Sequence, residues 1–134
     1  MNISEEIFKS IKAKSELLKD QEQIGNIRRA GSLIIDAFNN GKKILIAGNG
    51  GSAADAQHFA AELAGRFLAE RKGLPAVALT TNSSNITAIA NDFGYDQIFV
   101  RQLEALGKPG DIFFAISTSG NSENLMKALE WGRT

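Results

Sequence analysis

The chain has 134 residues, enough for one domain with a real core and too few for two. Fifteen basic residues balance fifteen acidic ones, so no overall field draws it to nucleic acid or to an anionic membrane. It contains no cysteine, which excludes disulfides, thiolate catalysis and cysteine metal sites and fits a cytoplasmic protein.

The opening "MNISEEIFKS" has early acids and no apolar signal core, and no apolar run approaches the roughly 20 residues of a membrane span. Residues 4 to 39 read as two helices. Ser4 is the expected N-cap of the first, with Glu5 and Glu6 in its positive first turn. Ile7, Phe8, Ile11 and Leu18 recur at helical spacing, followed by Ile24, Ile27, Leu33, Ile34 and Phe38. "NNGKK" stops the second helix, with Gly41 as its C-terminal glycine. A helical segment over residues 1–40 is therefore expected to pack on the domain, in an oligomer, or on both.

From residue 41 the texture changes. "KKILIAG" is a short apolar run that suits a buried strand, and Ser52 to Asp55 open a helix as a capping-box-like start. "PAVALTT" from Pro75 reads as a second buried strand, and "SSNITAIAND" as a short helix. Residues 95–106 read as another helix, "DIFFAIS" as a third strand and "NSENLMKALEWG" as the next helix. Strands alternating with helices predict an α/β fold with a doubly wound parallel sheet over residues 41–134. Three strands make a meagre sheet, so about two further strands with their helices are expected beyond Thr134. The pairs Arg28–Arg29 and Arg71–Lys72 read as solvated surface.

Ligands of such sheets sit beyond the carboxyl ends of the strands. Two loops fall there. "STSGNS" offers the hydroxyls of Ser117, Thr118, Ser119 and Ser122 just before a helix N-terminus, an arrangement that favours phosphate. The plain alternative is a serine-rich capped turn. "GNGGSA" matches a variant dinucleotide fingerprint, but the second strand ends "LTTN" without the acid that would hold a ribose, and no G-K-S/T is present. Nicotinamide and ATP are set aside.

The helix after the first loop carries Asp55, His58, Glu62 and Arg66 within an arc of about 80° at roughly 100° per residue. Ala56, Phe59, Ala60, Leu63 and Phe67 occupy the neighbouring arc and are expected to be core. His58, the only histidine, and Glu62 stand i, i+4, a spacing that lets both reach one metal ion, zinc being the commonest candidate. The bland alternative is a solvated stripe with intrahelical ion pairs such as Glu62 with Arg66.

"GNGGSAADAQHFAAELAGRF", "AIANDFG" and "STSGNSENL" together resemble the phosphoheptose isomerases, a branch of the sugar isomerase (SIS) domain family, from about Gly41 onward. The resemblance implies conversion of sedoheptulose 7-phosphate to D-glycero-D-manno-heptose 7-phosphate, the entry to bacterial lipopolysaccharide or capsule heptoses. It implies that Asn49, Gly50, Gly51 and Ser52 line the sugar pocket, that Ser117, Thr118, Ser119 and Ser122 hold phosphate, and that Asn91 and Asp92 form a third edge. It matches His58 and Glu62 to zinc ligands, Glu62 to a catalytic acid–base, and Asp55 and Arg66 to supporting positions. It also implies a homotetramer with shared sites, and a later helix, absent here, that brings a glutamine and a histidine to the site. The chain alone is therefore expected to be weakly active or inactive. Rival readings are a non-catalytic SIS protein that binds the replication initiator or senses sugar phosphates, and an isomerase for a hexose or pentose phosphate.

Overall fold

The computed structural model describes residues 2–133. The chain divides into two compact units, Met1–Asp36 and Ala37–Thr134.

The first unit is helical. Helix α1 spans Ile3–Lys19 and α2 spans Gln21–Asn39, running into the second unit. The cap of α1 is Asn2 and not Ser4: the Asn2 side chain accepts the Ser4 N–H at 3.1 Å. Asn2 has the extended backbone that a cap needs, and this draws Ser4 into the first turn. The Asp20 carboxylate accepts the Gln23 N–H at 3.0 Å and starts α2 in the same way. Gly41, at φ +69°, terminates it, and the Lys42 N–H returns to the Ala37 carbonyl.

The second unit is a three-stranded parallel sheet in the order β2–β1–β3, built from Ile44–Gly48 (β1), Ala76–Ala78 (β2) and Ile112–Ile116 (β3). Every residue of β1 is buried, as its unbroken apolar run requires of a central strand. The second strand is shorter than "PAVALTT" suggests, and Val77 is exposed. The Leu79 N–H makes the last bond to Ile46; the Thr81 hydroxyl then donates to the Ala78 carbonyl at 3.0 Å and turns the chain away.

The sheet is covered by α3 (Gly51–Ala64), α4 (Ser83–Phe93), α5 (Val100–Leu106) and α6 (Glu123–Trp131). Leu45 and Ala47 enter one cluster with Leu79, Ile98, Phe99, Leu103, Leu125 and Ala128. Residues alternate along a strand, so Ile44 and Ile46 face the other side. There α3 lies on the sheet, with Ala56 and Ala60 buried and Phe59 edge-on to Phe114 at 5.3 Å. The segment 95–106 is not one helix. A 3-10 turn at Tyr95–Gln97 precedes α5, and the buried Gln102 amide ties α5 to the Leu79 carbonyl at 3.1 Å.

At the amino ends of the strands the Asp111 carboxylate bridges β1 and β3. It pairs with the Lys43 ammonium and accepts the N–H groups of Lys43 at 3.0 Å and Lys108 at 2.8 Å. Burial pushes its pKa up, but these hydrogen bonds and the lysine charge outweigh burial and hold it below the ordinary 3.8.

Candidate functional site

The chain goes from β1 to β2 on one side and returns to β3 on the other, so the strand order switches between β1 and β3. Both glycine- and serine-rich loops leave the sheet at that switch, where open α/β sheets bind ligands. Gly48 lets the first loop fold tightly. A Cβ there would lie 2.4 Å from the Ser52 carbonyl oxygen and 2.8 Å from its Cβ. The chain therefore turns directly into α3, whose N-cap is Gly50 with no side-chain cap bond. The capping box expected at Ser52 is absent, because Ser52 is already inside the helix and buried.

In the second loop the Ser117 Oγ accepts the Gly120 N–H at 3.0 Å, and the Ser119 Oγ accepts the Asn121 N–H at 3.2 Å. These bonds wind the backbone into a turn that Gly120, at φ +69°, can adopt. Ser117, Thr118 and Ser119 remain exposed. Ser122 is the N-cap of α6, yet its hydroxyl makes no cap bond. That hydroxyl and the positive end of α6 are available to an anion.

The first loop is bonded to the opening turn of α6, which follows the second. Asn49 Nδ2 donates to Asn124 Oδ1 at 2.9 Å, and Asn124 Nδ2 donates back to Asn49 Oδ1 at 3.0 Å. The Tyr95 hydroxyl donates to the same Asn49 Oδ1 at 3.1 Å. Asn49, Tyr95, Asp96, Ser122, Glu123 and Asn124 line a cavity of about 470 Å³. Beside it Lys127 bridges Asp96 at 2.5 Å and Glu123 at 3.3 Å. The hydrogen bond from Lys127, then that from Gln97, holds the Asp96 carboxyl below its ordinary range; Asp96 and then Glu123 hold Lys127 above its own.

The α3 stripe lines a different groove, of about 390 Å³, formed by Asp55, His58, Phe59, Glu62, Leu63, Phe67 and Arg71. His58 Nε2 lies 3.8 Å from Glu62 Oε1, with His58 exposed and Glu62 half-buried. Two expectations for this helix fail. It ends at Ala64, so Arg66 lies beyond it and pairs with Glu70 instead of Glu62. Phe67 is 69% exposed on the groove and is not core, for the same reason.

Asn91 and Asp92 stand exposed at the end of α4, bonded to each other at 2.8 Å, and line neither cavity. Gly50, Gly51 and Ser52 also line neither. Within one chain the structure thus joins Asn49 to Ser122 and Asp55 to His58 and Glu62, as two separate places.

Sequence reasoning missed Asn124, Tyr95 and Arg71. Asn124 could have been flagged as a polar residue on the α6 face that carries Leu125 and Ala128. Arg71, read as solvated surface, spends its guanidinium on four main-chain carbonyls: Glu62 and Leu63, each at 2.8 Å, Lys72 at 3.1 Å and Gly65 at 3.2 Å. No sequence spacing announces such a contact.

The SIS domain matches residues 7–134. The chain belongs to the SIS domain family. It is 53% identical over 128 residues to a phosphoheptose isomerase of Aneurinibacillus thermoaerophilus, covering 96% of this chain and 65% of that protein. It is 54% identical over 127 residues to one of Geotalea daltonii, covering 93% and 66%. The solved phosphoheptose isomerase of Neisseria gonorrhoeae superposes with a TM-score of 0.89 at 45% identity, covering 98% of this chain and 67% of that one. That of Francisella tularensis gives 0.86 at 36% identity, covering 99% and 71%. The chain thus spans about two thirds of the length of the curated relatives it matches.

Do these residues suit a zinc ion? The 3.8 Å between His58 Nε2 and Glu62 Oε1 is near the roughly 3.4 Å that separates two ligands of a tetrahedral ion bound at about 2.1 Å. The pair fits as half of such a site. Among the described residues no group of three His, Cys, Asp or Glu comes together. Nor is any helix among them long and apolar enough to cross a membrane.

Proposed function

We propose that the protein to which this chain belongs is an aldose–ketose isomerase that converts sedoheptulose 7-phosphate to D-glycero-D-manno-heptose 7-phosphate. The observation that carries the reading is the unspent Ser122 hydroxyl at the start of α6, a helix whose Asn124 is bonded across the sheet's switch point to the Asn49 loop. That is a place for a phosphorylated polyol, and the relatives named phosphoheptose isomerase supply the sugar.

Isomerisation moves a proton between adjacent carbons through an enediol. It needs a base that takes the proton and returns it, and stabilisation of charge on oxygen. Our reading gives the first task to the Glu62 carboxylate. It lies half-buried in an apolar groove beside His58, where a proton carrier is partly shielded from water. Ser117, Thr118, Ser119 and Ser122 hold the phosphate; Asn49 to Ser52 receive the sugar; Asp55, Arg66, Asn91 and Asp92 support it. His58 and Glu62 would hold zinc together with donors from outside this chain, and bound zinc would act as a Lewis acid toward the sugar oxygens. The separation of the α3 groove from the Asn49 cavity within one chain is what a site shared between subunits would produce, and it supports a homotetramer. We assign the protein to the cytoplasm and to bacterial heptose synthesis for lipopolysaccharide or capsule.

The test is turnover of sedoheptulose 7-phosphate by this chain and by a form extended to the length of its relatives, each with and without zinc. Turnover by the extended form alone is expected. Binding without turnover by either form would favour instead a SIS protein that senses sugar phosphates or binds the replication initiator.

A further inference from the structure

Asn124 is 2% exposed; its carboxamide oxygen is filled and its amide makes one bond. Its Oδ1 accepts from Asn49 Nδ2 at 2.9 Å and from the Leu125 N–H at 2.9 Å; its Nδ2 donates to Asn49 Oδ1 at 3.0 Å. Asn49 Oδ1 is filled in turn by Asn124 and the Tyr95 hydroxyl. The reciprocal amide pair spans 75 residues of sequence and joins the end of β1 to the first turn of α6. Tyr95 adds the turn before α5 as a third anchor.

Two consequences follow from the donor inventory. The Asn49 oxygen has no capacity left for a ligand, and its amide keeps one N–H. Asn49 therefore acts toward a sugar through that N–H and through the loop it holds. Loops that leave different strands move independently unless something links them, and a ligand that touches both must otherwise bear the cost of ordering them.

We propose that Asn124, assisted by the Tyr95 hydroxyl, is a positioning residue that locks the Asn49 loop to the first turn of α6, which the serine loop leads into, so that a sugar phosphate meets both loops in one geometry. This rests on the function proposed above, in which the serine loop takes the phosphate and the Asn49 loop the sugar. Inorganic phosphate engages only the serine loop and should be nearly indifferent to the lock.

The experiment uses the full chain with Asn49→Ala, Asn124→Ala, the double variant and Tyr95→Phe. Amide hydrogen exchange at Gly50 to Ser52 is read without ligand, and the affinities for sedoheptulose 7-phosphate and inorganic phosphate are read by titration. Each alanine variant is expected to speed exchange in that loop and to weaken sugar-phosphate binding by about tenfold, with phosphate binding changed less than about twofold. The double variant should be no worse than Asn49→Ala, because the partners act as a pair. Multiplying effects, or unchanged exchange in the loop, would overturn the proposal.

Tyr95 is largely exposed, so Tyr95→Phe keeps the fold and serves if Asn124→Ala does not fold. Faster exchange and a loss of about threefold in sugar-phosphate affinity are expected of it, and unchanged exchange would refute the lock. Should neither the unaltered chain nor its extended form bind sedoheptulose 7-phosphate, the functional reading fails, while the exchange rates still decide whether the lock exists.

Discussion

Glu62 and Asp111 are both withdrawn in part from water, but their partners differ. The Glu62 carboxylate lies 3.8 Å from His58 Nε2, whereas the Asp111 carboxylate takes the Lys43 ammonium and two N–H groups. Those partners favour the charged form of Asp111. Glu62→Gln keeps shape and polarity but cannot carry a proton. In the extended form it is expected to retain sugar-phosphate binding and to lose turnover by at least about a hundredfold, read by steady-state assay. Asp111→Asn should destabilise the fold by about 2 kcal/mol at pH 7, since it leaves Lys43 half-buried without its anion. An aspartate whose folded pKa is depressed stabilises in full above its unfolded value, and that contribution is lost as pH falls through the folded value. The gap between wild type and Asp111→Asn in urea unfolding is therefore expected to be constant above about pH 5 and to close below about pH 4.

Among the elements, α3 depends on a residue outside it. Its last carbonyls face the groove that also holds His58 and Glu62, and Arg71 gathers those of Glu62, Leu63 and Gly65 into one guanidinium fork. A cation at a helix C-terminus is favoured by the dipole as well as by the hydrogen bonds. Arg71→Ala is expected to cost about 1–2 kcal/mol in urea unfolding and to speed amide exchange in the last turn of α3. Arg71→Lys should recover only part of this, because a single ammonium cannot reproduce the planar fork. Helix and strand types over residues 41–134 were legible from apolar runs and glycine breaks. The exceptions were β2, shortened by the Thr81 turn, and the 95–106 segment, split before α5. Both depend on contacts between segments that a local pattern does not encode.

At the scale of the whole molecule, no residue of α1 is buried. Ile3, Ile7, Phe8, Ile11 and Leu18 are all more than half exposed and form one apolar face. Such a face supports the proposed assembly of several copies. Light scattering is expected to give a tetramer, and Phe8→Glu with Ile11→Glu to give a smaller species whose second unit keeps its circular dichroism. A monomeric wild type would remove the support that α1 lends to shared sites.

By itself the sequence determined the parallel α/β class, the loops at the strand ends, the Asp55–His58–Glu62 stripe and the family resemblance, because each rests on spacing within a few turns or strands. The tertiary structure alone decided that Asn49 pairs with Asn124, that Arg71 closes α3, and that the α3 stripe and Ser122 line separate cavities of one chain, with Ser117, Thr118 and Ser119 in neither. These are contacts made by side chains reaching across the fold, and the reach of a side chain is set by where the backbone has already been placed. The asparagine pair shows this most plainly: 75 residues separate two amides that the parallel crossover brings to hydrogen-bonding distance.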